Sequence, residues 1–188
     1  MTKIVIVAGS PGSGKTTLLK MLPPSFKIVN VGDIMMEHAI KNNYTKDRDK
    51  IRYMKKGKID LLRTLAFKDI KKMNGNIVID THMSVEQNGM FLSGLPLSNM
   101  LLLGKAVKGF VYVDAPTGVL IERRKKDKSR NREIEPSTII DMQRIFNLAS
   151  MAKYSSDLNI PMYIIVNEDG HLDEKVAKLK AFLSEVFD

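Results

Sequence analysis

The sequence predicts an α/β domain built on a doubly wound, five-stranded parallel sheet. Three observations support this fold: short apolar runs rich in valine and isoleucine recur along the chain, helical patterns separate them, and 188 residues suit one domain. Continuous apolar runs of this length are typical of strands that are covered on both faces. We therefore expect residues 1–188 to form a single domain with helices on both sides of the sheet.

Five apolar runs are predicted to form the strands. Each is bounded by glycine, proline, asparagine or aspartate, which are common at strand ends. In chain order the runs are KIVIVA at 3–8, KIVNV at 27–31, NIVID at 76–80, GFVYV at 109–113 and PMYIIV at 161–166.

Helical patterns lie between these runs. Apolar residues three or four positions apart form two stripes, one over residues 59–73 and one over residues 172–186. Two segments break the alternation: residues 81–96, which lack clean periodicity and are predicted to be a loop, and residues 123–136, which are almost wholly polar. Long loops inside compact domains tend to be functional or disordered.

The most specific motif follows the first strand. Residues 9–16, GSPGSGKT, fit the pattern G-x-x-x-x-G-K-[ST], in which glycines let backbone N–H groups approach phosphate oxygens. In this pattern Lys15 reaches the β- and γ-phosphates and the Thr16 hydroxyl can ligate Mg²⁺. The chain is therefore predicted to bind a nucleoside triphosphate with magnesium. The triphosphate-binding residues predicted from the motif are Gly9, Ser10, Pro11, Gly12, Ser13, Gly14, Lys15, Thr16 and Thr17.

The phosphate loop alone does not separate GTPase switches, motors and small-molecule kinases. A GTPase needs an Asn-Lys-x-Asp motif to read the base, and VNED at 166–169 lacks the lysine. A motor usually needs a longer chain. A kinase remains, and it requires a second pocket for the acceptor and cations around the transferring phosphoryl group.

Arginines in the predicted loops can supply those cations. Arg48 and Arg52 follow the second strand, and Arg123, Arg130 and Arg132 lie in the polar segment. The guanidinium fork suits bidentate contacts with phosphate. A mobile segment that carries such arginines could close over ATP and exclude water. The predicted catalytic residues are Lys15, Arg123, Arg130 and Arg132.

An aspartate at the end of the third strand is a candidate metal ligand. Asp80 stands at the carboxyl edge of the predicted sheet beside the phosphate loop, where it and Thr16 can hold Mg²⁺. His82, two residues further on, either contacts the acceptor or caps the turn. No covalent intermediate is required, because phosphoryl transfer can rest on positioning and electrostatics.

The composition of the chain excludes several further kinds of site and partner. The chain has no cysteine and only three histidines, so thiolate chemistry is excluded and a histidine-rich metal site is not expected. It shows neither a signal-peptide pattern nor an apolar run near the roughly 20 residues that cross a bilayer, so we expect a cytoplasmic protein without a membrane partner. The net charge of +9 is concentrated in residues 41–72 and 122–132, which indicates either a polyanionic partner or solvated helix faces.

Taken together, the motifs resemble those of the archaeal-type adenylate kinases, a branch of the nucleoside-monophosphate kinases. The resemblance implies a fold of the P-loop NTPase type and the reversible, Mg²⁺-dependent conversion of ATP and AMP into two ADP. It rests on seven segments in collinear order: GSPGSGKTT at 9–17, VNVGDIM at 29–35, KDRDKIR at 46–52, VIDTH at 78–82, GLP at 94–96, RNRE at 130–133 and IVNEDG at 165–170.

This resemblance also implies roles for individual residues. Residues 32–73 would form the helical segment that binds the monophosphate, and residues 123–136 would form a short lid. Arg123 would pack against the ATP adenine, which Asn167 and Gly170 would border, while the lid arginines Arg130 and Arg132 would grip the transferring phosphates. Members of this family often form homotrimers, which makes a homotrimer the implied assembly. The monophosphate site would include Gly32, Arg48, Arg52, His82, Gly94, Leu95 and Pro96.

Two alternatives stay open at this point. The acceptor could be CMP or UMP, because base selection depends on a few hydrogen bonds that one sequence does not locate. An arginine that some family members carry shortly after Asn147 is missing here, where Leu148, Ala149 and Ser150 stand, and Arg144 is a candidate substitute. The other alternative is an RNA-linked ATPase that uses the basic residues 41–72. Nucleic acid is the less expected partner, since few aromatic residues interleave that stretch.

Overall fold

A computed structural model describes residues 2–87, 89–127 and 135–188 of the chain. Five of its strands form a parallel sheet, and the other two form a separate antiparallel hairpin. The five predicted strands are all present, with ends shifted by one or two residues, so the predicted fold is confirmed. The strands are β1 (Lys3–Gly9), β2 (Lys27–Asn30), β3 (Asn76–Thr81), β4 (Ser84–Gln87), β5 (Met90–Ser93), β6 (Val107–Asp114) and β7 (Met162–Val166). The parallel sheet has the order β2–β3–β1–β6–β7, and β4 pairs with β5 in the hairpin.

Helices connect these strands and cover both faces of the sheet. The two apolar stripes that the sequence indicates fall on the helices Lys56–Lys72 and Leu172–Phe187, and the middle of each stripe is buried. Short 3₁₀ turns occupy Asp49–Tyr53 and Gly104–Ala106. The helices are α1 (Lys15–Lys20), α2 (Val31–Lys41), α3 (Lys56–Lys72), α4 (Leu97–Leu103), α5 (Thr117–Lys126), α6 (Ser137–Leu158) and α7 (Leu172–Phe187).

The core has two parts, one on each face of the sheet. Alternate residues of β1 belong to different apolar clusters because successive side chains of a strand point to opposite faces. Ile4 and Ile6 join the cluster that contains residues of α2, α3 and α4. Val5 and Val7 join the cluster that contains residues of α1 and α7. The central strands β1, β3 and β6 are therefore buried on both sides, as their continuous apolar runs predict.

The structure corrects two details of the sequence interpretation. Residues 81–96 are not a simple loop, because β4 and β5 pair there, and the amide of Gly94 donates to the carbonyl oxygen of Met83 at 2.8 Å to close the hairpin. In addition, α5 continues into the polar segment 123–136, so Arg123 lies on the last turn of a helix. That extension is stabilised by arginine side chains that hydrogen-bond to backbone carbonyl groups of neighbouring loops. Arg130 and Arg132 lie outside the described residues.

The strand order brings the functional segments together at one edge of the sheet. β1 lies between β3 and β6, so the loops after β1 and β3 leave the sheet side by side. In the register of the sheet, Asp80 of β3 lies opposite Val7 of β1 and also opposite Asn30 of β2. Within the described parts of the chain, no helix is long and apolar enough to span a membrane.

Candidate active site

The phosphate loop connects β1 to α1 at the carboxyl edge of the sheet. Its turn closes where the amide of Ser13 donates to the carbonyl oxygen of Ser10 at 3.0 Å. Gly14, just before α1, has a φ of +81°, and a Cβ atom at this position would lie 2.1 Å from Nδ2 of Asn167. Glycine adopts this left-handed backbone conformation without strain, and its missing side chain leaves room for Asn167. The motif thus forms a tight turn that its glycines make possible.

Residues from two distant segments hold the outer rim of this loop. Asn167, which follows β7, donates from Nδ2 to the carbonyl oxygen of Ser13 at 2.8 Å and is itself buried. Arg123 donates from Nη1 to the carbonyl oxygen of Gly12 at 3.3 Å and from Nη2 to that of Asn167 at 3.1 Å. The hydrogen bond from Arg123 lowers the pKa of Asp169. The structure therefore brings together the phosphate loop, Arg123 and Asn167, three parts of the predicted ATP site.

The remaining residues of the predicted ATP site lie around this rim. Gly170 follows Asp169 in the connection between β7 and α7 and has a φ of +91°. Thr16 and Thr17 are exposed in the first turn of α1. Gly9 is the last residue of β1, beside Val113 of β6.

Lys15 and Asp80 form a buried ion pair at the border of the loop. The ammonium nitrogen of Lys15 contacts Oδ1 of Asp80, and both side chains are 7% exposed. Asn30 donates from Nδ2 to the other carboxylate oxygen at 2.8 Å. This contact follows from the register of the sheet, which places Asn30 and Asp80 on neighbouring strands. The lysine charge is therefore held where the phosphate loop meets a large cavity.

This large cavity has a volume of about 980 Å³ and opens between α2, the 3₁₀ turn after it, the ends of β3, the β4–β5 hairpin and α6. Its lining carries both signs of charge, with the basic side chains Arg48, Arg52, Arg63 and Arg124 and the acidic side chains Asp80, Glu86 and Glu135. A cavity of this size can hold a nucleotide-sized ligand. Five residues of the predicted monophosphate site line it: Gly32, Arg48, Arg52, His82 and Gly94.

Two other residues of the predicted monophosphate site do not line the large cavity. Leu95 is fully buried, and its carbonyl oxygen accepts a hydrogen bond from the Tyr154 hydroxyl at 2.8 Å. Pro96 is the residue that precedes α4. These two residues thus connect the hairpin to the core.

Arg48 reaches the cavity over the first turn of α2. Its Nη2 donates to Oδ1 of Asn30 at 2.9 Å, and its Nη1 contacts the carboxylate of Asp33. A Cβ atom at Gly32 would lie 2.5 Å from that Nη2, so glycine leaves room for the guanidinium group. Arg52 lies with its Cζ atom 5.7 Å from the ring centroid of Tyr53. Arg48 directly precedes the 3₁₀ turn and Arg52 lies within it, so both arginines reach the cavity from one segment of the chain.

His82 and Gly94 line another part of the cavity. The Nδ1 atom of His82 lies 3.3 Å from the carbonyl oxygen of Gly9, which can only accept a hydrogen bond. A Cβ atom at Gly94 would lie 2.2 Å from the carbonyl oxygen of His82. Because a backbone atom cannot move aside as a side chain can, this close approach requires glycine. The histidine imidazole thus links the wall of the cavity to the phosphate loop.

A buried polar network lies beneath both parts of the site. The Ser84 hydroxyl donates to Oδ1 of Asn147 at 2.6 Å, and Nδ2 of Asn147 donates to the Ser10 hydroxyl at 3.4 Å. Tyr112 donates to the backbone carbonyl oxygen of Arg144 at 3.3 Å, and burial raises the pKa of Tyr112 to about 12. The network joins the β4–β5 hairpin to the phosphate loop through α6. The sequence carries no signal for it, because its members are far apart in the chain.

Sequence reasoning also missed a buried arginine in the lining of the large cavity. Arg63 projects from α3, is 8% exposed and donates from Nη1 to Oδ1 of Asp60 at 2.9 Å. Burial lowers the pKa of Arg63, although Asp60 partly offsets that effect. The sequence offered one signal for this residue, because Arg63 falls within the apolar stripe of residues 59–73.

Arg144 lies at a different cavity from the arginines of the predicted monophosphate site. It binds both carboxylate oxygens of Asp114, at 2.9 Å from Nε and 2.7 Å from Nη2, and these bonds raise the pKa of Arg144. The side chain lines a separate, smaller cavity of about 200 Å³, which Leu148 also lines. Arg144 is therefore held at the end of β6.

Comparison with known proteins agrees with this geometry. A family model described as an AAA domain matches residues 8–140. The adenylate kinase of Methanothermobacter thermautotrophicus is 31% identical over 185 residues, covering 96% of this chain and 99% of the relative. That of Pyrococcus horikoshii is 32% identical over 193 residues, covering 97% and 96%. That of Pyrobaculum aerophilum is 39% identical over 151 residues, covering 77% and 74%. These relatives confirm the resemblance that the seven motifs indicate.

Solved structures support the fold. A shikimate kinase from Bacteroides thetaiotaomicron matches with a TM-score of 0.63 and 16% identity, covering 97% of this chain and 98% of its own. A shikimate kinase from Acinetobacter baumannii matches with a TM-score of 0.61 and 17% identity, covering 100% and 97%. At these identities the likeness shows a shared fold alone.

Proposed function

Because this chain belongs to the adenylate kinase family, we propose that it transfers the γ-phosphoryl group of ATP reversibly to AMP and so forms two ADP. One observation carries the proposal. Asp80 lines the large cavity and at the same time contacts Lys15 of the phosphate loop. A donor bound in the loop and an acceptor bound in the large cavity would therefore meet at this pair, which direct transfer requires.

The donor would bind in the phosphate loop. Lys15 has three N–H donors, of which Asp80 takes one, so the ammonium group can also serve the β- and γ-phosphates. Arg123 and Asn167, which hold the rim of the loop, would lie beside the adenosine part of ATP. The loop and its rim would thus fix the γ-phosphoryl group in line with the large cavity.

The acceptor would place its phosphate near Arg48 and Arg52. Both side chains line the large cavity, and Arg48 is oriented by Asn30 and Asp33. The guanidinium group matches the geometry of phosphate oxygens, and its charge offsets the repulsion between two phosphates. His82 and Gly94 would border the nucleoside part of the acceptor, in line with the predicted assignment.

Mg²⁺ is the proposed metal cofactor. The described residues contain no group of three or more histidine, cysteine, aspartate and glutamate side chains that could hold a metal ion. Magnesium usually takes one or two protein oxygens and completes its shell with phosphate and water, so it needs few protein ligands. The Thr16 hydroxyl and the Asp80 carboxylate are the oxygen donors that would hold it. When bound, the ion would neutralise charge on the β- and γ-phosphates.

The polar segment 123–136 is proposed to serve as a lid. Its described ends include Arg124, Glu135 and Pro136, which all line the large cavity. Closure of the segment would place Arg130 and Arg132 near the transferring phosphates and exclude water, which competes as an acceptor.

A test of the function is phosphate transfer from Mg·ATP to AMP, CMP, UMP and GMP, with the diphosphates separated by chromatography. We expect ADP to form from AMP at a rate at least about tenfold above that of any other acceptor, a difference that a few base-specific hydrogen bonds supply. A preference for CMP or UMP would contradict the acceptor assignment. ATP hydrolysis without transfer to any monophosphate would contradict the kinase assignment and favour the RNA-linked ATPase.

A further inference from the structure

Two neighbouring arginines on the last turn of α5 have different partners. Arg123 binds the rim of the phosphate loop. Arg124 instead donates from Nε to the carbonyl oxygen of Pro11 at 2.8 Å and from Nη1 to Oε2 of Glu135 at 2.6 Å. Arg124 also lines the large cavity. It therefore touches the phosphate loop and the large cavity at once.

The guanidinium group of Arg124 is buried with one nitrogen unsatisfied. The side chain is 9% exposed, and Nη2 has no hydrogen-bond partner among residues 2–87, 89–127 and 135–188. Buried N–H groups of proteins are nearly always paired, and an arginine carries five of them. A buried cation with unused donors at the border of a phosphate loop is suited to an anionic oxygen of a ligand.

Protein contacts also fix the direction of this side chain. Pro11 and Glu135 engage Nε and Nη1, and Nη2 is the guanidinium nitrogen that has no partner among the described residues. The stem packs against the loop as well, because a Cβ atom at Gly12 would lie 3.4 Å from Cγ of Arg124. A donor that is fixed before the substrate binds needs no reorganisation during the reaction, so it stabilises developing charge effectively.

We propose that Arg124 is a catalytic residue that binds the phosphoryl group in transit through Nη2. The proposal rests on the proposed kinase function. In the transfer, a phosphate oxygen of the acceptor forms a bond to the γ-phosphorus, and the bond from that phosphorus to the β–γ bridging oxygen breaks. The electron pair of the broken bond stays on the β-phosphate of the departing ADP. Arg124 only donates hydrogen bonds, and no proton needs to be moved between the fully ionised nucleotides.

A purely structural role for Arg124 makes different predictions. If the side chain only clamped Glu135 to the phosphate loop, its loss would lower the melting temperature and weaken ATP binding. If it binds the phosphoryl group in transit, its loss lowers kcat, while the KM values for ATP and AMP change little. The split between kcat and KM therefore separates the two roles.

The test compares Arg124→Ala, Arg124→Lys and the control Lys125→Ala, which removes a positive charge from an exposed neighbour on the same helix. For Arg124→Ala we expect kcat to fall about 100-fold with both KM values within about threefold of the original. Arg124→Lys keeps the charge without the fork, so we expect it to retain about a tenth of kcat. Lys125→Ala should retain full activity. Added guanidinium ion should raise kcat of Arg124→Ala.

A folded Arg124→Ala protein with kcat within about threefold of the unsubstituted protein would overturn the proposal. If Arg124→Ala does not fold, the test uses Arg124→Lys instead. An unchanged kcat of Arg124→Lys would also overturn the proposal. The ratio of variant to unsubstituted protein is measured with whichever monophosphate the unsubstituted protein phosphorylates. A failed acceptor assignment is therefore seen in the unsubstituted protein, separately from the effect at Arg124.

Discussion

The phosphate loop and the large cavity share a border at Lys15 and Asp80, yet their walls have different origins. The loop is formed by one continuous motif, and buried partners such as Asn167 hold its rim. The cavity is lined by side chains scattered from Pro11 to Gln143, and Arg48 on its wall is 45% exposed. The rim of the donor side is therefore held by a buried side chain, whereas Arg48 on the acceptor side is accessible to a ligand from solvent. Substitutions should consequently affect the two sides separately.

The largest effect is expected at the border. Lys15→Met removes the ammonium group that would serve the β- and γ-phosphates, so we expect kcat to fall about 1,000-fold. Asn30 continues to donate to the Asp80 carboxylate, and the protein should keep its native circular dichroism spectrum. The control is Lys20→Met, an exposed lysine of the same helix, which should leave kcat unchanged. Near-normal turnover of a folded Lys15→Met protein would refute the role assigned to this lysine.

The next effect should be confined to the acceptor side. Arg48→Met removes charge-assisted hydrogen bonds to the acceptor phosphate, so we expect KM for AMP to rise about 10- to 100-fold. KM for ATP should stay the same. Lys50→Met, an exposed lysine in the same turn, is the matched control. The comparison between the two sides would fail if Arg48→Met raised both KM values equally.

A smaller effect should be confined to the donor side. Asn167→Ala leaves the carbonyl oxygen of Ser13 without its side-chain donor, which corresponds to about 1 kcal/mol. We expect KM for ATP to rise about fivefold and KM for AMP to stay unchanged. Glu168→Ala, at the exposed neighbouring position, controls for changes in the loop after β7. A change in KM for AMP alone would be the opposite of this prediction.

The last prediction concerns the free energy of unfolding and Tyr112, which belongs to the buried polar network and should have the smallest effect at neutral pH. Folding keeps its hydroxyl protonated up to about pH 12, because burial raises the pKa of Tyr112 to about 12, whereas an unfolded tyrosine ionises near pH 10. Between these values the folded state binds more protons than the unfolded state, so the free energy of unfolding falls as pH rises.

Urea denaturation of the unsubstituted protein and Tyr112→Phe, measured from pH 9 to pH 12, tests this sign. The unsubstituted protein should lose up to about 3 kcal/mol more stability over that interval than Tyr112→Phe. Equal slopes for the two proteins would mean that Tyr112 titrates normally in the folded state.

How much the sequence could predict also differs between the two sides. The five strands and the phosphate loop follow from local patterns, namely continuous apolar runs and a motif of eight residues. The β4–β5 hairpin was missed, because its pairing is local but its residues lack the regular apolar alternation of a strand. The homotrimer and the lid arginines remain predictions.

Arg124 and the bridge from Ser84 through Asn147 to Ser10 were also missed, for a physical reason. Their roles depend on contacts between segments that lie 63 to 137 residues apart in the chain. A single sequence does not show which distant residues are in contact until the fold is known. In the sequence Arg124 cannot be told from the exposed Lys125 and Lys126 that follow it in the run RRKK, and its burial is visible only in the fold.

ATP and AMP are proposed to bind side by side and to exchange a phosphoryl group without a phosphorylated protein. The decisive measurement is the initial velocity over a grid of Mg·ATP and AMP concentrations. Reciprocal plots of velocity against one substrate, at several fixed levels of the other, should give intersecting lines, because both nucleotides must be bound before transfer. Parallel lines would contradict direct transfer, since they indicate that a phosphorylated protein forms and ADP leaves before AMP binds.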